Sequence, residues 1–259
     1  MTEARRPRVG LFATCLVDLF RPAVGFAAVR LLEDAGCEVV VPLAQTCCGQ
    51  PAYNSGQMPD ARRLALQTIE AFERCDYVVA PSGSCAAMLR RHYPRLMQGD
   101  KPALLRAKAF AERVHELSAF LVEVRGVRSV SGTFAGRVAY HDGCSGLREL
   151  GIRKQPRQLL SSMEGLQLVE LRAPETCCGF GGLFSVKFPD ISNAMVTAKS
   201  DSVRAADVDI LVAGEMGCLL NVAGKLSRQG ADVACRHYAE LLAGTLDEPA
   251  IIPQRRDTR

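Results

Sequence analysis

The chain has 259 residues, 48% of them apolar and 23% charged, with a formal net charge of +4; that is room for two globular domains of about 100–150 residues each. No run of about 18 apolar residues occurs, which excludes a helical membrane span. Residues 1–10 carry no apolar core with a small-residue cleavage site, which predicts a cytoplasmic chain without a secretory signal. With no aromatic-rich basic stripe, no nucleic-acid partner is expected, and the arginines near the ends (Arg5, Arg6, Arg8, Arg255, Arg256, Arg259) read as solvated tails.

Residues 8–13 (RVGLFA) predict a short buried strand, with Cys15 just past its end. Pro22 suits a helix N-terminus, residues 23–35 carry apolar side chains at helical spacing, and Gly36 closes that helix. Residues 37–41 (CEVVV) are rich in β-branched side chains and predict a second strand. It runs into Cys47-Cys48-Gly49. Pro59 opens a helix that reaches residue 74, and residues 76–80 (DYVVA) predict a third strand, followed by Pro81-Ser82-Gly83-Ser84-Cys85. A helix is predicted over 88–97, and one long helix over 101–124 that crosses between halves.

Residues 126–136, small, polar and punctuated by glycine, mark the boundary between a first domain at 1–125 and a second at 126–259. The second half repeats the first. A strand at 137–140 ends at His141-Asp142-Gly143-Cys144, and Pro156 opens a short helix. A strand at 166–171 precedes Cys177-Cys178-Gly179-Phe180-Gly181-Gly182, and 191–206 is helical. A strand at 210–213 leads into Gly214-Glu215-Met216-Gly217-Cys218. A helix at 219–226, a strand at 232–235 and a helix at 237–246 finish the chain. Alternating strands and helices predict an α/β protein: two Rossmann-like parallel-sheet halves related by an internal pseudo-two-fold repeat. Every predicted cysteine loop follows a strand, and open parallel sheets bind ligands at the carboxyl ends of their strands. One site per half is the expectation.

Eight of the 11 cysteines fall into the repeat: Cys15, Cys47, Cys48 and Cys85, then Cys144, Cys177, Cys178 and Cys218. Structural disulfides are rare in a reducing compartment, so cysteines at recurring spacing point to metal or redox chemistry. Four thiolates per half suit one iron–sulfur cluster or one tetrahedral zinc. Zinc sites usually draw on close C-x2-4-C pairs, and the chain has no C-x-x-C. A cluster is wider and can be gripped from three separate loops. The glycine after each doublet allows a positive φ, which lets both thiolates turn inward. Two other readings stand beside this one: cysteines as small buried hydrophobes, which is the reading for Cys37, Cys75 and Cys235, and a redox centre of strained vicinal disulfides. His141 is a candidate proton relay or tuning group, with a hydrogen-bonded loop-edge histidine as the plain alternative. His92, His115 and His237 read as structural. Gly179-x-Gly181-Gly182 lacks the strand–GxGxxG–helix context of a nucleotide site, so nucleotide and flavin binding are excluded. Arg148 and Arg153 are candidates for gripping a substrate carboxylate, set against ordinary surface arginines.

Four stretches carry a family resemblance: residues 47–56 (CCGQPAYNSG), 81–85 (PSGSC), 140–144 (YHDGC) and 177–185 (CCGFGGLFS). Together they resemble the CCG cysteine-rich domain found in heterodisulfide reductases and in the iron–sulfur subunits of glycolate oxidase and anaerobic glycerol-3-phosphate dehydrogenase. Arg148-Glu149-Leu150-Gly151 and His237-Tyr238-Ala239-Glu240 fit as well. Within that family the chain is more similar to the short two-domain subunits of bacterial L-lactate oxidation systems. The resemblance implies an iron–sulfur electron-transfer subunit of a cytosolic system that oxidises L-lactate to pyruvate, with a ferredoxin-like iron–sulfur protein as partner. It implies one [4Fe–4S] cluster per half, on Cys15, Cys47, Cys48, Cys85 and on Cys144, Cys177, Cys178, Cys218. The alternatives are a disulfide- or quinone-linked reductase subunit with the cluster as catalyst, and a zinc-stabilised scaffold. The full family motif ends in C-x-x-C, whose first cysteine is here Ser82 in one half and Glu215 in the other. The loss leaves four thiolates per half, which suits an ordinary cubane cluster. Ser82 and Glu215 are candidate oxygen ligands, set against the plainer reading as loop residues, Glu215 with its charge in solvent. Ser145 stands where relatives often carry His, which weakens any direct role for that position.

Overall fold

The structure is a computed structural model and describes residues 5–251; the predicted C-terminal arginine tail at Arg255, Arg256 and Arg259 lies outside the described residues. Its strands are short and all pair in parallel. In the first half these are β1 (Arg8–Leu11), β2 (Glu38–Val40), β3 (Tyr77–Ala80) and β4 (Val114–Glu116). In the second they are β5 (Thr133–His141), β6 (Glu164–Val169), β7 (Ile210–Ala213) and β8 (Ala234–His237). The spatial orders are β2-β1-β3-β4 and β6-β5-β7-β8. Each strand of the first sheet thus has its counterpart four strands later, and the repeat seen in the cysteines is a repeat of topology. In each sheet the chain leaves the first strand to one side and returns on the other. A crevice opens at the carboxyl ends where the connections diverge, between β1 and β3 and again between β5 and β7.

Strand alternation decides what each sheet face meets. Val9, Leu11 and Val79 face a central core that also holds Val138, Tyr140, Ile210 and Val212 from the second sheet. Phe12, Val78 and Ala80 face an outer core of the first half. Ala139, Leu211 and Ala213 face the corresponding outer core of the second. The two sheets therefore share their central core. Helix Pro22–Asp34 packs on helix Tyr238–Leu242 inside it. At that joint Arg21 reaches Glu240 at 2.7 Å, with side chains 8% and 0% exposed.

The predicted helix over 101–124 is interrupted. Asp100 caps helix Lys101–Glu112, and Val114 and Glu116 then pair with Val78 and Ala80 as β4. A three-residue strand is too short to show a period, so the flanking helical pattern hides it. The predicted helix over 219–226 begins earlier, at Met216, so Cys218 lies in its first turn and not in a loop. No helix among the described residues is long and apolar enough to cross a membrane.

Candidate metal centre

The single cysteines sit at the starts of helices that follow strands. Thr14 caps helix Cys15–Phe20 by accepting from the Val17 N–H, so Cys15 opens that helix. Cys144 likewise opens helix Cys144–Leu150 after β5, with Gly143 at the N-cap and no side-chain cap. Ser82 accepts the Cys85 N–H at 3.3 Å and caps helix Gly83–Ala87 after β3. The doublets lie in the loops after β2 and β6, followed by Gly49 at φ 83° and Gly179 at φ 80°. A side chain at Gly179 would also strike the Ser192 carbonyl, 2.6 Å from a built Cβ. The carbonyls of the buried doublet residues are held by side chains: Tyr93 O–H donates to Cys48 O at 3.0 Å, and Asn221 donates to Cys178 O at 2.9 Å.

These turns bring each set of four together. All 11 cysteines are free thiols. In the first half Cys15 and Cys47 sulfurs are 3.9 Å apart, and Cys48 reaches both Cys47 and Cys85. In the second half Cys177 receives hydrogen bonds from Cys144 and Cys178, and the Cys178 and Cys218 sulfurs are 2.8 Å apart. The first cysteine of each doublet is the acidic one. Thiols of Cys15 and Cys48 donate to Cys47 and hold it far below the usual thiol range. Cys144 and Cys178 do the same for Cys177, helped by the Gly179 N–H at 3.4 Å. The donors Cys15, Cys48, Cys144 and Cys178 are pushed up by these same contacts and by burial. Thiolate is the ligating form, so Cys47 and Cys177 are ready ligands, and Cys15, Cys48, Cys144 and Cys178 are thiols that a bound metal would deprotonate.

Both quartets line one cavity of ≈ 270 Å³. The expected one site per half becomes two thiolate sets facing a common space. The halves meet there backbone to backbone: a Cβ built on Gly83 would lie 2.7 Å from Gly146 Cα. That close crossing sets helix Gly83–Ala87, with Cys85, against helix Cys144–Leu150, with Cys144. The remaining wall is largely apolar, with Leu16, Pro51, Phe180 and Leu183 among its residues.

Glu215 is not in solvent, as the sequence suggested. It is 8% exposed and bonds across the halves. Ser82 Oγ donates to it at 3.0 Å, Ser84 Oγ at 2.8 Å and the Ser84 N–H at 2.5 Å. Burial pushes its carboxyl up to about 7. The two positions that depart from the family motif are thus bonded to each other.

His141 is also not a hydrogen-bonded loop-edge residue. It ends β5, is 1% exposed, and neither ring nitrogen has a hydrogen-bond partner among the described residues. Burial pushes its imidazole down to about 3, with the Lys199 cation adding to the effect. Its ligand atom and the sulfurs of Cys178 and Cys218 all lie within 4.8 Å of one another. Lys199, fully buried in helix Pro189–Ala205, donates to the Ala173 and Pro174 carbonyls at 3.4 and 3.0 Å. Nothing in the helical pattern marks it.

The other candidates are placed elsewhere. Cys37 is buried in the central core, Cys75 in the first outer core and Cys235 in the second. His92 pairs with Glu149 at 2.7 Å, and His237 caps helix Tyr238–Leu242 while its Nε2 meets the Pro81 carbonyl at 3.1 Å. Arg153 is paired with Glu175 at 3.0 Å on the surface.

Eight sulfurs in two buried or half-buried sets fit soft-metal chemistry, either metal ions or iron–sulfur groups. Fold and site together define a class: a duplicated parallel-sheet protein with a thiolate quartet at the carboxyl edge of each sheet. Residues 9–90 and 138–223 match the model of the CCG cysteine-rich domain, and the chain belongs to that family. It is 47% identical to lactate utilization protein A of Geobacillus sp. (strain WCH70), over 91% of this chain and 98% of that protein. It is 46% identical to lactate utilization protein A of Bacillus subtilis (strain 168), over 91% of this chain and 98% of that one. A crystal structure of a hypothetical protein from Helicobacter pylori shares the fold at TM-score 0.64 and 10% identity, covering 95% of this chain and 50% of that chain.

Proposed function

We propose that the chain is an iron–sulfur electron-transfer subunit of a cytosolic system that oxidises L-lactate to pyruvate, with one [4Fe–4S] centre on each quartet. The observation that carries this reading is the pair of like-connected thiolate quartets on one cavity. The similarity to lactate utilization proteins supports the choice of system. When bound, such centres supply reversible one-electron storage.

The chain's own residues do the rest. Cys47 and Cys177 enter as thiolates, and their neighbours lose protons as metal binds. The glycines after the doublets let both sulfurs of each doublet turn inward. The Gly83–Gly146 crossing and the Ser82–Glu215–Ser84 bonds fix one quartet against the other across the shared cavity. The half-exposed cysteines and apolar mouth leave the site open to a protein partner, for which a ferredoxin-like iron–sulfur subunit is the proposal.

One observation favours a second reading. The cavity is large enough and apolar enough to admit part of a small molecule to both quartets, as a disulfide- or quinone-linked reductase would require. Anaerobic absorption spectroscopy separates the two. In the first reading L-lactate bleaches the protein only when the other proteins of the system are present. Oxidation of the reduced isolated chain by a disulfide or a quinone, at a rate that saturates, would favour the second.

A further inference from the structure

The repeat allows the two sites to be compared position by position. Cys15 corresponds to Cys144, and three residues before each stands a ring at the end of the first strand: Phe12 in one half, His141 in the other. Both are buried to the same degree, at 0% and 1% exposure. Phe12 packs on Phe72, with ring centroids 5.9 Å apart, as an ordinary core residue. His141 occupies the matching place as a polar ring with neither nitrogen bonded among the described residues. A buried polar group left without a partner costs about 1–3 kcal/mol, and the first half shows that an apolar ring serves this position. Among the described residues the imidazole therefore has no hydrogen-bond partner.

The surroundings say what that partner is. One His141 nitrogen lies with Cys178 Sγ and Cys218 Sγ inside a 4.8 Å span, the reach of ligands around one metal group. Glu215, at the place of the absent motif cysteine, is turned to Ser82 and Ser84 and so is engaged elsewhere. Neutral imidazole is a good donor to iron and to zinc. We propose that His141 is a fifth, nitrogen donor to the metal centre held by Cys144, Cys177, Cys178 and Cys218, and that the two centres of the chain are consequently unlike, the first being all-sulfur. This rests on the iron–sulfur reading of the quartets. A nitrogen donor added to the four sulfurs of one centre and absent from the other makes the two centres differ in reduction potential.

The test uses the full chain, purified anaerobically with its iron and grown on isotopically labelled histidine. Iron and sulfide are assayed first. The protein is then reduced stepwise and examined by pulsed electron paramagnetic resonance, alongside Cys48→Ser, which leaves only the second centre intact. The expected result is one strongly coupled histidine nitrogen on one of the two centres, present in Cys48→Ser as well. His141→Phe, which copies the first half, should lose that coupling and shift that centre's midpoint while the other stays unchanged. Iron in both quartets without histidine coupling would overturn the proposal alone. Coupling too weak for direct ligation would make His141 a hydrogen-bond donor to sulfur and would also overturn it. Absence of iron and sulfide from both quartets would overturn the iron–sulfur reading and this proposal with it. The wild-type coupling decides the matter even if His141→Phe fails to fold.

Discussion

Gly83→Ala probes the joint that holds the two quartets together. A Cβ at that position would lie 2.7 Å from Gly146 Cα, 3.1 Å from Gly146 N and 3.0 Å from Glu215 Oε1. Two of these three atoms are backbone, so no rotamer change relieves the clash, and the two helices must move apart. Overpacking of this kind costs about 1–3 kcal/mol. The gain from replacing Gly by Ala within a helix, up to about 1 kcal/mol, offsets part of it. The net expectation is a loss of about 1–2 kcal/mol. Gly25 supplies the control. It lies inside helix Pro22–Asp34, and a Cβ there would meet only Val17 Cγ1 at 3.8 Å, an ordinary contact. Gly25→Ala should therefore gain about 0.5–1 kcal/mol. Equilibrium urea unfolding of both variants beside the wild type, under one anaerobic reducing condition, should separate them by about 2–3 kcal/mol. If Gly83→Ala is as stable as Gly25→Ala, the backbone contact between helices Gly83–Ala87 and Cys144–Leu150 is not as described.

Arg21→Met should destabilise the chain by about 3 kcal/mol, because it leaves the buried Glu240 carboxylate with the His237 N–H at 2.9 Å and, as a cation, the more distant Arg236 at 3.9 Å; adding Glu240→Gln should recover most of that loss, and thermal unfolding of the single and double variants checks it. His237 is pushed down to about 4 by burial, so between its unfolded value of about 6.5 and pH 4 the unfolded chain takes up a proton that the folded chain does not. Stability is then lost as pH falls through that window, by about 3 kcal/mol from this group. Urea unfolding of wild type and His237→Asn should show the variant catching up by that amount from pH 7 to pH 4, and parallel curves would contradict the assignment. Cys48→Ser and Cys178→Ser should each empty one quartet and spare the other, whereas Cys75→Ala, in the first outer core, should leave metal content unchanged. Iron assay of the three variants decides between these outcomes and a single shared centre.

Much of this was legible in the sequence because the doublets repeat with their flanking strands. Residues 8–13 and 137–140 are short, mostly apolar runs followed within four residues by a cysteine, and each became the first strand of a sheet with the same strand order. β4 escaped because three residues carry no period, yet the repeat includes it: Glu116 and the helix it caps stand where His237 and the closing helix stand in the second half. Glu215 was misread because its partners are 131 and 133 residues away, and no local pattern shows which loops of two separate sheets will meet. The shared cavity was hidden for the same reason. Periodicity says that a strand face is apolar, not that two such faces will cover each other and bring their carboxyl edges side by side. Lys199 looks like any helical lysine, and only its complete burial beneath the 173–174 carbonyls sets it apart. His141 was visible as a histidine near a cysteine. What made it informative was the comparison with Phe12.

Iron, acid-labile sulfide and zinc per chain, measured on anaerobically purified protein with an absorption spectrum before and after dithionite, test the central claim most directly. Two cubane centres predict about eight irons with matching sulfide and a visible absorption that bleaches on reduction. Zinc without sulfide, and a spectrum that dithionite leaves unchanged, would contradict it and make the thiolate quartets structural metal sites.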